Sequence, residues 1–434
     1  YWTTRLVGCL MPLYGERLNA WTTLIDSFVS FFGHCPGEFW LDRQNHTPAR
    51  FSVIGAWLPA SSFKPSVTRE HLDVPFAFRP GYVGVIHYSN SAQDISQFEL
   101  LSVDRAFVYD HDAKAMYFIG DFPDRAEFDS WHHAALLRLA LVGGEASSYE
   151  LSNPAATSAE LSAIDSRAVY REKIERVKEH IAAGDVYQLC LTTKLRGDYS
   201  GDPLSYFLRL RKEHPAPYSS FIRLEDRSYV SITPELFVSS HGTRVLSSPI
   251  KGTRSRSEDA KRDAELMNQL GSDPKERAEN LMIVDLIRND MSIACDPESI
   301  QVENLLAIRS YSTVHQLVSD VSGQLSEGKS SLDALRALFP GGSMTGAPKI
   351  KAMELIGTLE SEDRQGYSGA IGWISQSGDM ELAMVIRTAI FEKDSVSIGI
   401  GGGITSDSES NAEHEEIQLK ATALVGALGA SVRW

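Results

Sequence analysis

The sequence predicts a mixed α+β fold, and three observations favour this class. The chain has 434 residues, of which 43% are hydrophobic and 23% are charged, so it is long enough to bury a large core. Short apolar runs bounded by turn residues recur along most of the chain and predict β-strands. Helical patterns occur among these runs without a regular alternation of strand and helix, which argues against a doubly wound sheet.

The sequence pattern of residues 1–145 predicts a β-rich region. The segments FWLD and GYVGVIHY are typical of strands, and AFVYDHDAKAMYFI predicts a hairpin that turns at about residues 110–114. A helix is expected over about residues 126–141. Small and polar residues then dominate residues 146–166, which we interpret as a linker. The remaining residues, 167–434, form a second region, either separate from the first or packed with it as one domain.

The second region begins with an amphipathic helix over about residues 168–183. Tyr170, Ile174 and Val177 recur at helical spacing, and Gly184 lies where a C-terminal cap belongs. Strands are predicted for DVYQLCLTTKL, TVHQLVSDVSGQL, YSGAIGWIS, ELAMVIRTAIF and SVSIGIGGG, and a terminal helix from about residue 411.

Two further helices have recognisable starts. Ser255 followed by Glu258 resembles a capping box, and Asp273 precedes a proline in the first helical turn.

Composition excludes several classes of function. The formal charge of -15 argues against a nucleic-acid groove, because phosphate binding needs an excess of Lys and Arg. No apolar run reaches transmembrane length, so no membrane partner is expected. The four cysteines show neither metal-ligand nor disulfide spacing, which favours reduced thiols in a cytoplasmic protein.

One predicted hairpin places a carboxylate near an amine. Strand-like residues 236–238 and 244–247 flank a turn at residues 239–243, with Glu235 before the first strand and Lys251 after the second. A hairpin would bring these two side chains close together. They could form a surface ion pair, which base rates favour, or an acid and amine that act together in chemistry.

Two helices offer carboxylate pairs beside apolar residues. Glu276 and Glu279 are three residues apart on one helix, as are Glu413 and Glu416 on the terminal helix. Such oxygen ligands suit Mg²⁺. The alternative is structural: Glu276 caps its helix, Glu279 meets an arginine, Glu413 completes a capping box from residue 410, and Glu416 pairs with Lys420.

Two glycine-rich segments and one arginine could bind an anion. FPGGSMTGAPK lacks the Lys-Ser or Lys-Thr of a Walker loop, so it is either an anion-binding helix N-terminus or a tight turn. GIGGGIT allows close approach of a ligand to the backbone, or simply a bent strand. Arg387 lies in a predicted buried strand, where an arginine usually pairs with a carboxylate of the protein or of a ligand.

Six segments together resemble the chorismate-utilising family, which includes the anthranilate, aminodeoxychorismate, isochorismate and salicylate synthases. They occur in the family's order over roughly residues 168–430, and they are AENLMIVDLIRND, GGSMTGAPK, YSGAIGW, IRTAIF, GGGITSDS and EHEEIQLKA. FWLD and GYVGVIHY look like the N-terminal sheet region of the family. The resemblance implies large mixed β-sheets packed as a sandwich core with helices outside.

Two positions suggest a branch of this family. Residues 249–253 are PIKGT, the form of the aminodeoxychorismate synthases, whereas anthranilate synthases look like PIAGT. Gln188 stands where water-adding relatives have a lysine base. The resemblance implies amination of chorismate at C4, on the way to p-aminobenzoate and folate. Anthranilate synthase component I and a non-catalytic chorismate-binding subunit are the alternatives.

The resemblance also implies roles for individual residues. Glu235 would protonate the departing hydroxyl, and Lys251 would be the nucleophile that ammonia later displaces. The Mg²⁺ ligands would be Glu279 and Glu416, with Glu276 and Glu413 adjacent. The substrate-binding positions would be His315, Thr345, Tyr367, Arg387, Gly401, Gly403 and Lys420. No cysteine lies in a Gly-x-Cys-x-Gly setting, so ammonia is expected from a separate glutamine amidotransferase subunit.

Overall fold

Two large β-sheets form the centre of the protein. The computed structural model describes residues 11–19, 21–33, 35, 37–43, 50–56, 58–60, 72–152 and 159–434. Within these ranges one sheet has 13 strands and the other has 10. The mixed α+β class predicted from the sequence is confirmed.

The elements before residue 153 are mostly strands. In chain order they are β1 Leu13–Arg17, α1 Leu24–Phe31, β2 Glu38–Asp42, β3 Phe51–Ala56, β4 Leu58–Pro59, β5 Gly81–Ile86, β6 Phe98–Val103, β7 Arg105–Asp110, β8 Ala115–Asp121, α2 Arg125–Leu139 and α3 Glu145–Ser152. Strands β7 and β8 form the predicted antiparallel hairpin. Helix α2 begins after Asp124, whose side chain accepts a hydrogen bond from the backbone N–H of Glu127.

The elements after residue 158 include most of the helices. In chain order they are β9 Ala159–Ala163, α4 Arg167–Ala182, β10 Gln188–Asp198, α5 Pro203–Glu213, β11 Tyr218–Arg223, β12 Arg227–Thr233, β13 Leu236–His241, β14 Arg244–Ser248, β15 Ile250–Ser255, α6 Ala260–Ser272, α7 Pro274–Met291, β16 Gln301–Ser310, β17 Val314–Gln324, α8 Ser331–Leu338, β18 Gly346–Ala347, α9 Lys349–Leu359, β19 Ala370–Ser375, β20 Met380–Met384, β21 Thr388–Glu392, β22 Ser395–Ile404, α10 Ser410–Leu428 and β23 Ala430–Arg433. Short 3-10 turns cover Pro297–Ser299 and Gly342–Met344.

Both sheets combine strands from the two ends of the chain. The first sheet has the order β1-β8-β7-β3-β2-β11-β12-β21-β22-β10-β9-β23, with β18 also paired to β10. The second has the order β15-β17-β14-β13-β20-β19-β5-β6-β4, with β16 also paired to β17. The segment 146–166, interpreted as a linker, includes most of α3 and all of β9, which pairs with β10 and β23. The division into regions 1–145 and 167–434 stays a prediction.

The two sheets pack face to face and helices cover their outer faces. Val53 of the first sheet and Val83 of the second belong to one buried cluster between the sheets. Tyr170 of α4 packs in a second cluster with the first sheet, and Ile283 of α7 packs in a third with the second sheet. This arrangement is the predicted sandwich with helices outside. Within the described ranges no helix is long and apolar enough to cross a membrane.

Two details of the predicted elements are wrong. Helix α6 does not begin at Ser255, because that residue is still paired with Val314 in the β15–β17 ladder; Asp259 caps the helix instead. The run ELAMVIRTAIF is not one strand. It forms β20 in the second sheet and β21 in the first, because the chain crosses between the sheets at Arg387.

One predicted helix start, one predicted helix end and three of the four cysteines agree with expectation. Asp273 caps α7 through the backbone N–H groups of Lys275 and Glu276, and Gly184 follows α4 with a φ of +83°. The described cysteines are free thiols, and they are Cys35, Cys190 and Cys295. Cys9 lies outside the described residues.

Candidate active site

Glu235 is a buried carboxyl group at the junction of β12 and β13. Its residue is only 6% exposed, and the Ser343 hydroxyl donates a hydrogen bond of 2.8 Å to its Oε1. Burial raises the pKa of Glu235 to about 7, and the hydrogen bond from Ser343 and the charge of Lys251 offset only part of this effect. A carboxyl group with such a pKa can carry a proton near neutral pH and give it to a substrate.

Lys251 lies on a bulge of β15. The β15–β17 register shifts between Ile250 and Thr253, and Gly252 in the bulge has a φ of +83°, a conformation that favours glycine. The bulge turns the Lys251 side chain out of the regular ladder. Its Nζ lies 3.8 Å from Oε2 of Glu279, and its side chain is 14% exposed. The interpretation of Glu235 and Lys251 as a surface ion pair is therefore wrong.

The glycines of β22 bring the backbone close to the charged side chains. A Cβ atom built on Gly403 would lie 3.3 Å from the Lys251 Nζ and 2.7 Å from the Gln188 Nε2. A Cβ on Gly402 would lie 3.3 Å from Oε2 of Glu413 and 3.7 Å from Nζ of Lys420. Glycine is needed here because any side chain would fill the space beside the amine and the carboxylate.

The predicted carboxylates of α10 lie beside this glycine strand. Glu413 is 4% exposed, and its Oε1 accepts a hydrogen bond of 2.6 Å from the Ser408 hydroxyl. The structural alternative of a capping box from Ser410 is wrong, because the cap is Glu409 and makes no side-chain bond. The pair of Glu416 and Lys420, at 2.7 Å, is present as expected.

Lys420 also connects α10 to the glycine strand. Its Nζ donates a hydrogen bond of 2.9 Å to the carbonyl oxygen of Gly401. Burial alone would raise the pKa of Glu416, but Lys420 and the more distant Lys275 and Lys251 outweigh it, so this pKa is lowered.

The carboxylates of α7 face those of α10 across Lys275. The Lys275 Nζ lies 3.6 Å from Glu413 Oε1 and 3.9 Å from Glu279 Oε1. Burial raises the pKa of Glu279, against the opposing effects of Lys251 and Lys275. Glu276 lies one turn earlier and pairs with Arg254 at 3.3 Å. Carboxylates from two helices thus meet near the amine of Lys251.

These carboxylates fit Mg²⁺ by their chemistry. Glu279, Glu413 and Glu416 offer only carboxylate oxygens, the ligands that Mg²⁺ prefers. In their present side-chain positions, no three ligating residues of the described ranges converge closely enough to hold a metal ion. The ammonium groups of Lys251 and Lys275 lie between these carboxylates, and glutamate side chains can rotate to bring their oxygens together.

Arg387 and Tyr367 line the same region from the side of the first sheet. Arg387 has a φ of +50° between β20 and β21. Burial lowers the pKa of its guanidinium, and Tyr367 and Glu416 act in the opposite direction. Tyr367 is 5% exposed, and its ring covers Gly399 so closely that any side chain at that glycine would overlap it.

Two predicted pocket residues use their polar groups within the protein. The Thr345 hydroxyl donates to the carbonyl oxygens of Gly341 and Gly342 at 3.3 Å. The His315 ring hydrogen-bonds with Ser310 at 2.7 Å and with Asp263 at 3.0 Å. Their roles in substrate binding stay predictions.

Sequence reasoning missed Ser343 and undervalued Gln188. Among the described residues, Ser343 supplies the hydroxyl that donates to the Glu235 carboxylate, and its place in a glycine-rich loop gave no signal of this contact. Gln188 is 1% exposed, and its Oε1 has no hydrogen-bond partner among the described residues. It lies beside Lys251, close to Gly403.

Comparisons with known sequences find several similar proteins. The chain is similar to the aminodeoxychorismate synthase of Streptomyces griseus, with 37% identity over 369 residues that cover 82% of this chain and 51% of the relative. It is 41% identical to aminodeoxychorismate synthase component 1 of Escherichia coli over 262 residues, which cover 60% of this chain and 58% of the relative. Anthranilate synthase component 1 of Haloferax volcanii is also 41% identical, over 61% of this chain and 51% of the relative. The chain thus spans a little more than half the length of these relatives.

The chain is also similar to solved structures and matches a family model. Anthranilate synthase component I of Streptococcus pneumoniae has a TM-score of 0.74 and 26% identity, covering 87% of this chain and 93% of that one. The menaquinone-specific isochorismate synthase of E. coli has a TM-score of 0.75 and 17% identity over 96% of this chain and 95% of that one, which shows the fold alone. The family model of chorismate binding enzymes matches residues 60–426. Because that match covers most of the chain, the protein belongs to the family of chorismate binding enzymes.

Proposed function

We propose that the protein is the chorismate-aminating component of an aminodeoxychorismate synthase, which replaces the C4 hydroxyl of chorismate by an amino group. The observation that carries this proposal is the amine of Lys251, which lies beside Gly403 and Glu279 and within electrostatic reach of the buried carboxyl of Glu235. Similarity to two aminodeoxychorismate synthases supports it. The product, 4-amino-4-deoxychorismate, leads to p-aminobenzoate and folate.

In the first step, Glu235 acts as the general acid. Hydroxide is a poor leaving group, so the C4 hydroxyl departs as water with the proton of Glu235. Lys251, once it has lost its ammonium proton, attacks ring C2 as a neutral amine, and the two conjugated ring double bonds shift as the C4–O bond breaks. This step forms a C2–N bond and leaves Glu235 ionised.

In the second step, ammonia attacks C4. The two double bonds shift back and the C2–N bond to Lys251 breaks, so the lysine amine is regenerated. The ammonium proton formed on the product is available to Glu235, which restores the acid. The net reaction consumes chorismate and ammonia and yields the amino product and water.

The remaining predicted residues bind and orient the substrate. Glu279, Glu413 and Glu416 would hold Mg²⁺, which would neutralise the ring carboxylate of chorismate and polarise the ring. Glu276 is a weaker candidate ligand because Arg254 already neutralises it. Arg387 and Lys420 supply the positive charge that an anionic substrate needs in a protein with a net charge of -15.

The ammonia source and the cellular location belong to the same proposal. We infer that a separate glutamine amidotransferase subunit supplies ammonia, which the designation "component 1" of the E. coli relative supports. The expected location is the cytoplasm, where free thiols such as Cys190 and Cys295 stay reduced.

Product analysis tests the proposal against its rivals. The protein is incubated with chorismate, Mg²⁺ and ammonium, with and without a lyase that releases pyruvate from 4-amino-4-deoxychorismate. We expect p-aminobenzoate only when the lyase is present. Fluorescent anthranilate and pyruvate without the lyase would identify an anthranilate synthase, the rival that the similarity to the H. volcanii protein supports. Chorismate binding without turnover would identify a non-catalytic subunit.

A further inference from the structure

A buried ion pair lies directly behind the loop that carries Ser343. Arg364 is 3% exposed, and its guanidinium binds the carboxylate of Glu360 with two hydrogen bonds of 2.9 and 2.6 Å. A buried ion pair is by itself weak evidence for stability, because desolvation of both charges offsets much of their attraction. The contacts that the pair makes with its neighbours therefore indicate why it is there.

Arg364 also binds the Ser368 hydroxyl at 3.4 Å and the backbone carbonyl groups of two different segments. Nη1 donates to the carbonyl oxygen of Met344 at 2.6 Å, and Nη2 donates to that of Cys190 at 2.8 Å. The guanidinium carbon also lies 4.5 Å from the centre of the Tyr88 ring. The planar guanidinium presents its donors in a fixed fork, so these contacts fix the two segments relative to each other.

Glu360 holds the neighbouring part of β10. Its Oε1 accepts hydrogen bonds from the backbone N–H and the hydroxyl of Thr192, at 2.8 and 2.9 Å. Glu360 follows the last residue of α9. The ion pair thus connects the end of this helix, strand β10 and the loop at residue 344.

The loop bound by Arg364 sets the position of the proton-donating group. Met344 directly follows Ser343, whose hydroxyl bonds to Glu235. On the other side of Met344, the carbonyl oxygen of Thr345 accepts a hydrogen bond of 2.8 Å from the backbone N–H of Cys190. Without the Met344 contact, the loop would keep its internal bonds to Gly341 but lose its connection to Arg364. The turn that carries the Ser343 hydroxyl would then shift relative to Glu235.

We propose that Arg364 and Glu360 are positioning residues for Glu235, acting through Met344 and Ser343. The pair touches no reacting atom in this arrangement. It sets the hydrogen bond that Glu235 receives, and thereby the geometry and proton affinity of the acid. This inference rests on the general-acid role of Glu235 in the proposed function.

The test compares pH profiles of kcat/KM for Ser343→Ala, Arg364→Met and the double variant. The Ser343 hydrogen bond lowers the pKa of Glu235, so its loss raises this pKa. An acid must be protonated to act, and the alkaline limb of the profile should therefore move to higher pH, by about one unit. Arg364→Met should move the limb in the same direction and lower kcat by about 100-fold, the cost of a misplacement of about 1 Å.

The double variant shows whether the two residues act through one contact. If Arg364 acts through Ser343, the limb of the double variant lies where that of Ser343→Ala lies, and the shifts are not additive. Arg196→Met is the matched control, because Arg196 pairs with Glu362 at 2.9 Å in the same region but is largely exposed. This control should leave the limb and kcat within about twofold of the wild type.

Distinct results would overturn the positioning role and the proposed function. A limb that moves in Ser343→Ala but not in Arg364→Met would refute the positioning role. A limb that does not move in Ser343→Ala would instead refute the general-acid role of Glu235. If Arg364→Met does not fold, Arg364→Lys and Glu360→Gln take its place; both keep much of the packing but lose the bidentate contact, and an unshifted limb in both would refute the positioning role.

Discussion

Replacement of Glu235 by glutamine keeps the size of the side chain and removes its charge. The glutamine oxygen can still accept the Ser343 hydroxyl, so packing and hydrogen bonding change little. Burial raises the pKa of Glu235 from an ordinary value of 4.5 to about 7. At about 1.4 kcal/mol per pKa unit, ionisation of this carboxyl destabilises the folded protein by about 3 kcal/mol.

The sign of the effect follows from the raised pKa. The contribution of the protonated carboxyl to stability is fully present below pH 4.5, declines above it, and is lost as pH rises through about 7. Glu235→Gln has no such titration. The free energy of unfolding of this variant, relative to that of the wild type, should therefore increase by about 3 kcal/mol between acidic pH and about pH 8. Its rate of amination should fall by about 100-fold or more, because the acid is gone.

Urea denaturation at a series of pH values measures the stability difference. Glu327→Gln, at an exposed carboxylate, is the control and should show no comparable trend. A difference between Glu235→Gln and the wild type that is independent of pH would refute the burial argument. Full activity of this variant would refute the general-acid role.

Three further variants probe the amine, the carboxylates and the glycine strand. Lys251→Ala should slow amination by at least about 100-fold while the protein stays folded, and mass spectrometry should find a substrate adduct in the wild type only; wild-type rates would exclude covalent catalysis. Glu416→Gln should raise the Mg²⁺ concentration required for half-maximal activity about tenfold or more; an unchanged metal titration would remove Glu416 from the ligand set. Gly403→Ala should lower kcat/KM, because its Cβ would lie 2.7 Å from the Gln188 Nε2 and 3.3 Å from the Lys251 Nζ. Gly426→Ala, inside α10, is the control. A Cβ atom at this position would meet no atom within 4 Å, so the substitution should stabilise the protein by up to about 1 kcal/mol without loss of activity.

Much of the architecture could be predicted because local patterns agree with the fold. Tyr170, Ile174 and Val177 are the buried residues on the core-facing side of α4. Asp273 caps α7, as its sequence suggests. Neither feature needs information from distant parts of the chain. Ser255 misled the prediction because its backbone pairs with Val314, a partner 59 positions away that no local pattern reveals.

The site was less predictable because its groups are distant in sequence. The spacing of Glu235 and Lys251 indicated a pair, but the resemblance alone assigned their roles. Ser343 lies 108 positions from Glu235, and Arg364 lies 174 positions from Cys190, so neither contact has a local signal. Glu279 was expected either to meet an arginine or to bind a metal. It lies near two lysines, and its role as a metal ligand stays a prediction.

The left-handed backbone at Arg387 has a consequence for the evolution of this chain. A φ of +50° suits glycine far better than arginine, and a non-glycine residue in that conformation carries strain of about 1–3 kcal/mol. Replacement of Arg387 by glycine would relieve this strain. It would also remove the positive charge that is proposed to hold the substrate. If Arg387 holds the substrate as proposed, selection for thermal stability alone should enrich glycine at this position and yield more stable proteins with weaker chorismate binding. Under the proposed function, substrate binding is the reason that arginine occupies this position against the preference of the backbone.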